Sequence, residues 1–241
     1  MAVIAPDAFF RAYKNPKATF ECLKAFRRFY PETAIYLISD GGDDFGDMAR
    51  HFECEYERLD RLGRPPWNAQ QMAEWLRRMT VAAERGTSRH LMLLEEDVLI
   101  RGVINRSEHF AIAGPHHSFA RLSQPLFEHL RARFRHLTSD HYGGCGGTLM
   151  DRQSLFEASS RFDFASWEFL AALDHRIAHS DVFLTLLFIL AGHPYLSLED
   201  VYCEATQLYP DWETDGRPIV HQYKRFYGQP LALEDLQELR P

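Results

Sequence analysis

Three consecutive carboxylates, Glu95-Glu96-Asp97, follow the apolar run Leu91-Met92-Leu93-Leu94 and precede Val98-Leu99-Ile100. A run of this length and polarity reads as a strand buried on both faces, and open α/β sheets bind ligands at the carboxyl edge of their strands. Side chains alternate along a strand, so Glu95 and Asp97 are expected on one side and Glu96 on the other. Two carboxylates on one side suit a hard cation such as Mg²⁺ or Mn²⁺, whose shell water and substrate phosphate complete. A solvated acidic turn is the competing reading of the same triplet.

Other residues with chemical potential lie further along. Gly143-Gly144-Cys145-Gly146-Gly147 permits positive φ and close approach of backbone to a ligand, and reads equally as a bent strand or tight turn. Its spacing is not that of a P-loop, nor does it occupy the first strand-helix turn that a dinucleotide fingerprint requires. Asp181, in His179-Ser180-Asp181, stands at the head of an apolar helix, where a capping carboxylate is the ordinary explanation. His221 and Lys224, three residues apart near the C-terminal end, suit a metal ligand beside a phosphate-binding ammonium. Asp40-Gly41-Gly42-Asp43-Asp44 is a turn-rich acidic loop at a strand end.

The elements that must hold these residues alternate. Ala8 to Tyr13 reads as a strand, followed by Asn15 as N-cap and Pro16 at the first helical position of a helix bearing Phe20, Leu23, Phe26 and Tyr30. Strands are expected at Ala34–Ser39 and Cys54–Arg58, and helices at Phe45–His51 and Asn68–Glu84, before the Leu91 strand. The order implies a largely parallel sheet. In the less regular second half, helices are expected from Pro125 to Leu137 and from Val182 to Ala191, the latter buried and too short to span a membrane.

With 46% hydrophobic and 25% charged residues, the 241-residue chain has an ordinary globular composition and is expected to form one domain. The net charge of −7 argues against a general nucleic-acid-binding surface, and Arg131, Arg133 and Arg135 around Phe134 read as a solvated helix face. Cys22, Cys54, Cys145 and Cys203 form no CxxC pair, so reduced thiols in a cytoplasmic setting are expected. The first residues lack the pattern of a signal peptide.

Taken in order, these motifs resemble those of the GT-A-fold glycosyltransferases from Phe9 to Tyr227. Ala12–Pro16 matches the loop opening the nucleotide site, Tyr36–Asp44 the loop closing it, and Leu93–Val98 the DxD position. Gly143–Met150 falls in the middle, His179–Leu184 before a late helix, and His221–Tyr227 at the end. The triplet departs from the family pattern in having Glu95 where the first aspartate is usual. The resemblance implies an α/β, Rossmann-like GT-A single domain over 1–241, with a mostly parallel central sheet flanked by helices. Residues 8–115 would form the nucleotide-sugar half and 116–241 the acceptor half.

The implied activity is metal-dependent transfer from a nucleotide-diphosphate sugar, UDP-sugar favoured, to a glycan or other hydroxyl acceptor. The implied cofactor is Mn²⁺ or Mg²⁺, held first by Asp97, then by Glu95 and His221. Tyr13, Lys14, Asp40, Glu96 and Lys224 are placed at the nucleotide and its diphosphate. Asp181 is the implied base of an inverting reaction, with Asp174 second, while a retaining reaction would need neither. Trp67, Tyr142 and Trp212 are sugar-stacking candidates with packing as their alternative use, and Gly146 and Gly147 would bring backbone to the substrate. Neither nucleic acid nor an integral membrane segment is implied. Two other classes stay open: a catalytically inactive sugar- or nucleotide-binding module of the same fold, and a metal-dependent phosphohydrolase or nucleotidyltransferase.

Overall fold

Phe9 and Phe10 are both buried, on opposite faces of the strand Asp7–Ala12, because helices cover the sheet on both sides. That strand lies between Ile35–Asp40 and His90–Glu95, parallel to both. The central sheet has seven strands in the order Tyr195–Ser197, Ile112–Gly114, Leu149–Asp151, His90–Glu95, Asp7–Ala12, Ile35–Asp40 and Glu55–Leu59. Leu149–Asp151 is antiparallel to its two neighbours, and the other pairings are parallel. The computed structural model describes residues 2–115, 117–134, 137, 140–163, 179–205 and 213–238, so Asp174, Trp212 and Arg135 lie outside the described residues.

Against one face, helix Pro16–Phe29 packs Phe20, Leu23 and Phe26 on Phe10 and Leu37. Against the other, helices Ala69–Arg85, Arg152–Arg161 and Ser180–Leu190 pack Met72, Trp75, Leu155 and Phe183 on Phe9, Ile38 and Leu93. The boundaries of the first four expected strands and helices shift by about a residue. The later helix runs over Gln124–Arg133, capped by the Ser123 side chain, with Arg131 and Arg133 exposed. Among the described residues no helix is long and apolar enough to cross a membrane, and all four cysteines are free.

Three departures from the sequence expectation matter for the site. The run Leu91 to Ile100 is not one strand: Val98 N–H donates to the Glu95 carbonyl at 3.1 Å, closing a turn over Glu96 and Asp97. Leu99–Ile100 then leaves the central sheet and pairs antiparallel with Ile219–His221, which also pairs with Tyr202–Glu204. A flat pleat would bury unpaired charge among apolar neighbours, and the turn lets each acid find a partner. Asn15 sits at the head of its helix in the left-handed region, φ 65°, but its side chain caps nothing. It is drawn instead to Glu96, donating at 2.5 Å, and to the Gly228 N–H, accepting at 2.9 Å. The apolar helix begins at Ser180 with His179 as N-cap, so Asp181 belongs to its first turn and is not the cap.

Helix Ala69–Arg85, which carries Arg78 toward the site, starts on a reciprocal capping box. Asn68 accepts from Gln71 N–H and the Gln71 side chain accepts from Asn68 N–H, each at 2.9 Å. Asn68→Ala is therefore expected to lower stability by about 1 kcal/mol, read from the urea midpoint at unchanged slope.

Candidate active site

At the carboxyl edge of the parallel strands lies a cavity of about 320 Å³, walled by Tyr13, Trp67, Tyr227, several arginines and the acidic triplet. Its chemistry follows from where the turn sends each acid. Glu95 forms an ion pair with Arg11, whose guanidinium lies 4.9 Å from the Trp75 ring and 5.8 Å from that of Trp67. Burial opposes charge on both partners. It raises the Glu95 carboxyl against the pull of Arg11, whereas for Arg11 the surrounding Glu95, Asp40 and Asp181 outweigh it and the pKa rises. Glu96 turns the other way, accepting from Asn15 and, at 3.3 Å, from Tyr13 N–H, and burial pushes its carboxyl up to about 7. The strand ends at Glu95, so the turn and not strand alternation separates Glu95 from Glu96, and both line the cavity.

Asp97 is buried, its carbonyl accepting from Tyr223 N–H at 2.8 Å, which ties the turn to the segment after His221. One ligand atom each from Glu95, Asp97 and His221 lies within 4.8 Å of the others. His221 is only 4% exposed, and its Nδ1 is buried with no hydrogen-bond partner. Burial disfavours its charge, but Cys145, Glu204 and Asp97 outweigh that and hold its pKa well above the ordinary value. Two carboxylates and an imidazole form a donor set that fits Mn²⁺ or Mg²⁺.

The remaining candidates divide. Tyr13 lines the cavity, with the Arg61 guanidinium 3.9 Å over its ring and donating to its hydroxyl at 2.8 Å. Asp40 also lines it, but one carboxylate oxygen is committed to Arg78 at 3.0 Å and Leu62 N–H at 3.1 Å. Asp40 therefore anchors the loop that carries Arg61, Arg64 and Trp67. Trp67 reaches the cavity edge, yet it is almost wholly buried, donates to the Gly63 carbonyl at 3.2 Å and packs on Trp75. Lys14 is exposed, with its ammonium 5.2 Å from the Tyr13 ring, and is not part of the cavity wall.

Four further candidates lie off the cavity wall. Lys224 is exposed, its ammonium 6.0 Å from the Tyr227 ring, and Tyr227 takes the place in the wall that the ammonium was given. Burial beside Asp97, Glu96 and Glu95 raises the Tyr227 hydroxyl far above its usual range. Tyr142 lies off the cavity with its ring 5.4 Å from that of His117, and burial pushes its hydroxyl up to about 12. Gly146 and Gly147 are buried and outside the wall. A side chain at Gly146 would strike Val98, and Gly147, at φ 93°, abuts Tyr202 and Ile219. The glycines let this loop pass between the sheet and the helix at Ser180, since Gly144 lies against the Asp181 backbone.

Asp181 accepts from the Ser180 hydroxyl at 2.9 Å and acts electrostatically on both Glu95 and Arg11, while Ser180 itself faces the cavity. Residue spacing gave no reason to single out Arg61, Arg64, Ser180 or Tyr227. Arg11 had a signal: a charged residue at the carboxyl end of the otherwise apolar Phe9-Phe10-Arg11-Ala12 strand.

Removing one partner of a buried ion pair leaves the other charge unpaired. Arg78→Ala, which strands Asp40, is expected to cost about 3–5 kcal/mol in a denaturant titration and to loosen the Arg61 loop to limited proteolysis.

No family model matches the sequence, and no curated protein matches it either. Solved structures match the fold. The galactosyltransferase LgtC, determined in complex with donor and acceptor sugar analogs, aligns with a TM-score of 0.55 at 12% identity, over 96% of this chain and 99% of that one. The glycosyltransferase GlyE of Streptococcus pneumoniae TIGR4 gives 0.52 at 13% identity, over 98% of this chain and 61% of its own. The bifunctional glycosyltransferase WbbM gives 0.53 at 7% identity, over 99% and 52%. The chain has the GT-A-like glycosyltransferase fold.

Proposed function

We propose that this chain transfers a sugar from a nucleotide-diphosphate sugar, UDP-sugar by preference, to a hydroxyl of a glycan or similar acceptor, with Mn²⁺ or Mg²⁺ bound. The observation that carries the reading is the convergence of His221 on Glu95 and Asp97, two carboxylates of the cavity wall, in a fold shared with glycosyltransferases. LgtC is a galactosyltransferase seen with donor and acceptor sugar analogs, which makes the same two substrates the first to test here. Tyr13 on the wall is the candidate platform for the base.

Asp97 and His221 would hold the cation, with Glu95 contributing the oxygen that Arg11 leaves available. A divalent cation there supplies charge that offsets what the diphosphate develops as the glycosidic bond breaks. Arg61 and Arg64 on the wall add fixed positive charge for the same leaving group, with Lys224 nearby behind Tyr227. Tyr227 and Trp67 exclude water from the reacting bond.

Asp181 is assigned as the base because its neighbours are otherwise engaged. Asp40 is held by Arg78, Glu95 by Arg11 and Glu96 by Asn15, whereas Asp181 accepts from a hydroxyl that can turn away. In the inverting reaction it takes the acceptor proton as the new bond forms.

Two variants test these roles. Asp97→Ala is expected to keep the fold by circular dichroism and to lose Mn²⁺-dependent binding of UDP in calorimetry. Equal affinity in variant and parent with the metal present would remove Asp97 from the site. Asp181→Asn is expected to bind donor normally while transfer falls roughly 10²-fold or more, because the amide takes no proton. A rate near that of the parent would take the base role from Asp181, and donor hydrolysis without any acceptor would favour a phosphohydrolase.

A further inference from the structure

An imidazole that binds a metal through one nitrogen needs the other held, since that bond fixes the ring's orientation and tautomer. On the cation-binding reading above, the residue that does this for His221 can be sought on the neighbouring strand. Ile219–His221 runs parallel to Tyr202–Glu204, with His221 in register with Glu204. Paired positions on adjacent strands direct their side chains to the same face, so the strand pairing itself brings this carboxylate to the imidazole.

The geometry agrees. Glu204 Oε1 lies 3.5 Å from His221 Nδ1, just beyond hydrogen-bond length; among the described residues that buried nitrogen has no hydrogen-bond partner, and Cys145 is the imidazole's other polar neighbour. The same Oε1 lies 3.6 Å from His117 Nε2, so a second imidazole steadies the carboxylate from the other side. Glu95 and Asp97 line the cavity, whereas His221, Glu204 and His117 are not among its lining residues.

We propose that Glu204 is a positioning residue of the cation site: it accepts the Nδ1–H of His221 and so presents Nε2 toward Asp97 and Glu95. Glu204 does not touch substrate in this reading. Its effect is on how tightly His221 takes the metal.

The test titrates Mn²⁺ into the full chain without nucleotide and follows the free ion by electron paramagnetic resonance. Glu204→Gln should weaken binding about 10-fold and Glu204→Ala up to about 100-fold, with the metal-free melting temperature of the Gln variant unchanged. Glu204→Asp, which keeps the charge, should recover part of the loss. Mn²⁺ affinity in Glu204→Gln equal to that of the parent would overturn the positioning role while leaving the metal site standing. A parent that takes up no Mn²⁺ would overturn both, so the two failures are distinguishable.

Discussion

Glu95, Glu96 and Asp97 are consecutive, and repulsion among buried charges so close together governs how the carboxyl end of the sheet is built. Two like charges 4 Å apart repel by about 4 kcal/mol at an effective dielectric near 20, comparable with the whole stability margin of a small domain. The chain meets this by closing the turn between Glu95 and Val98 and giving each acid a different neighbour. Glu95 has Arg11 from the first central strand, Glu96 has Asn15 from the following loop, and Asp97 has His221 from the distant small sheet.

Neighbouring features follow from the same need. Arg11 can remain charged under two tryptophans because Glu95, Asp40 and Asp181 surround it. Asn15 holds a left-handed backbone, unusual for a residue with a side chain, because both ends of its amide are bonded. The glycine loop is thin because it must slip beneath this array and against the helix bearing Asp181.

The parallel strands were legible in the sequence wherever an apolar run alternated with an amphipathic helix, as from Phe9 through Leu91, since a strand buried on both faces leaves a continuous hydrophobic signature. The short strands Ile112–Gly114, Leu149–Asp151 and Tyr195–Ser197 were not, because three residues carry too little periodicity. At the site, Glu95, Asp97 and His221 were legible by residue type and order, and the structure brings them together. Lys224, Gly146 and Gly147 lie off the cavity wall, a placement residue order does not reveal. A motif states which residues are near one another along the chain, but whether a side chain faces the cavity or a packed neighbour is decided by contacts such as those of Gly147 with Tyr202. The turn after Glu95 was unreadable because local propensity favours continuing the strand through Val98-Leu99-Ile100, and only distant partners make breaking it worthwhile.

The Asn15 amide joins Glu96 to Gly228, a residue 213 positions further along. During synthesis the sheet's first strands can pair as soon as they emerge, but the loop bearing Tyr13 has no such brace until residue 228 has been made. Contacts of this span form late, after the loop-closure entropy between them has been overcome. A chain cut short of that residue would keep the parallel strands but lose this brace on the loop bearing Tyr13.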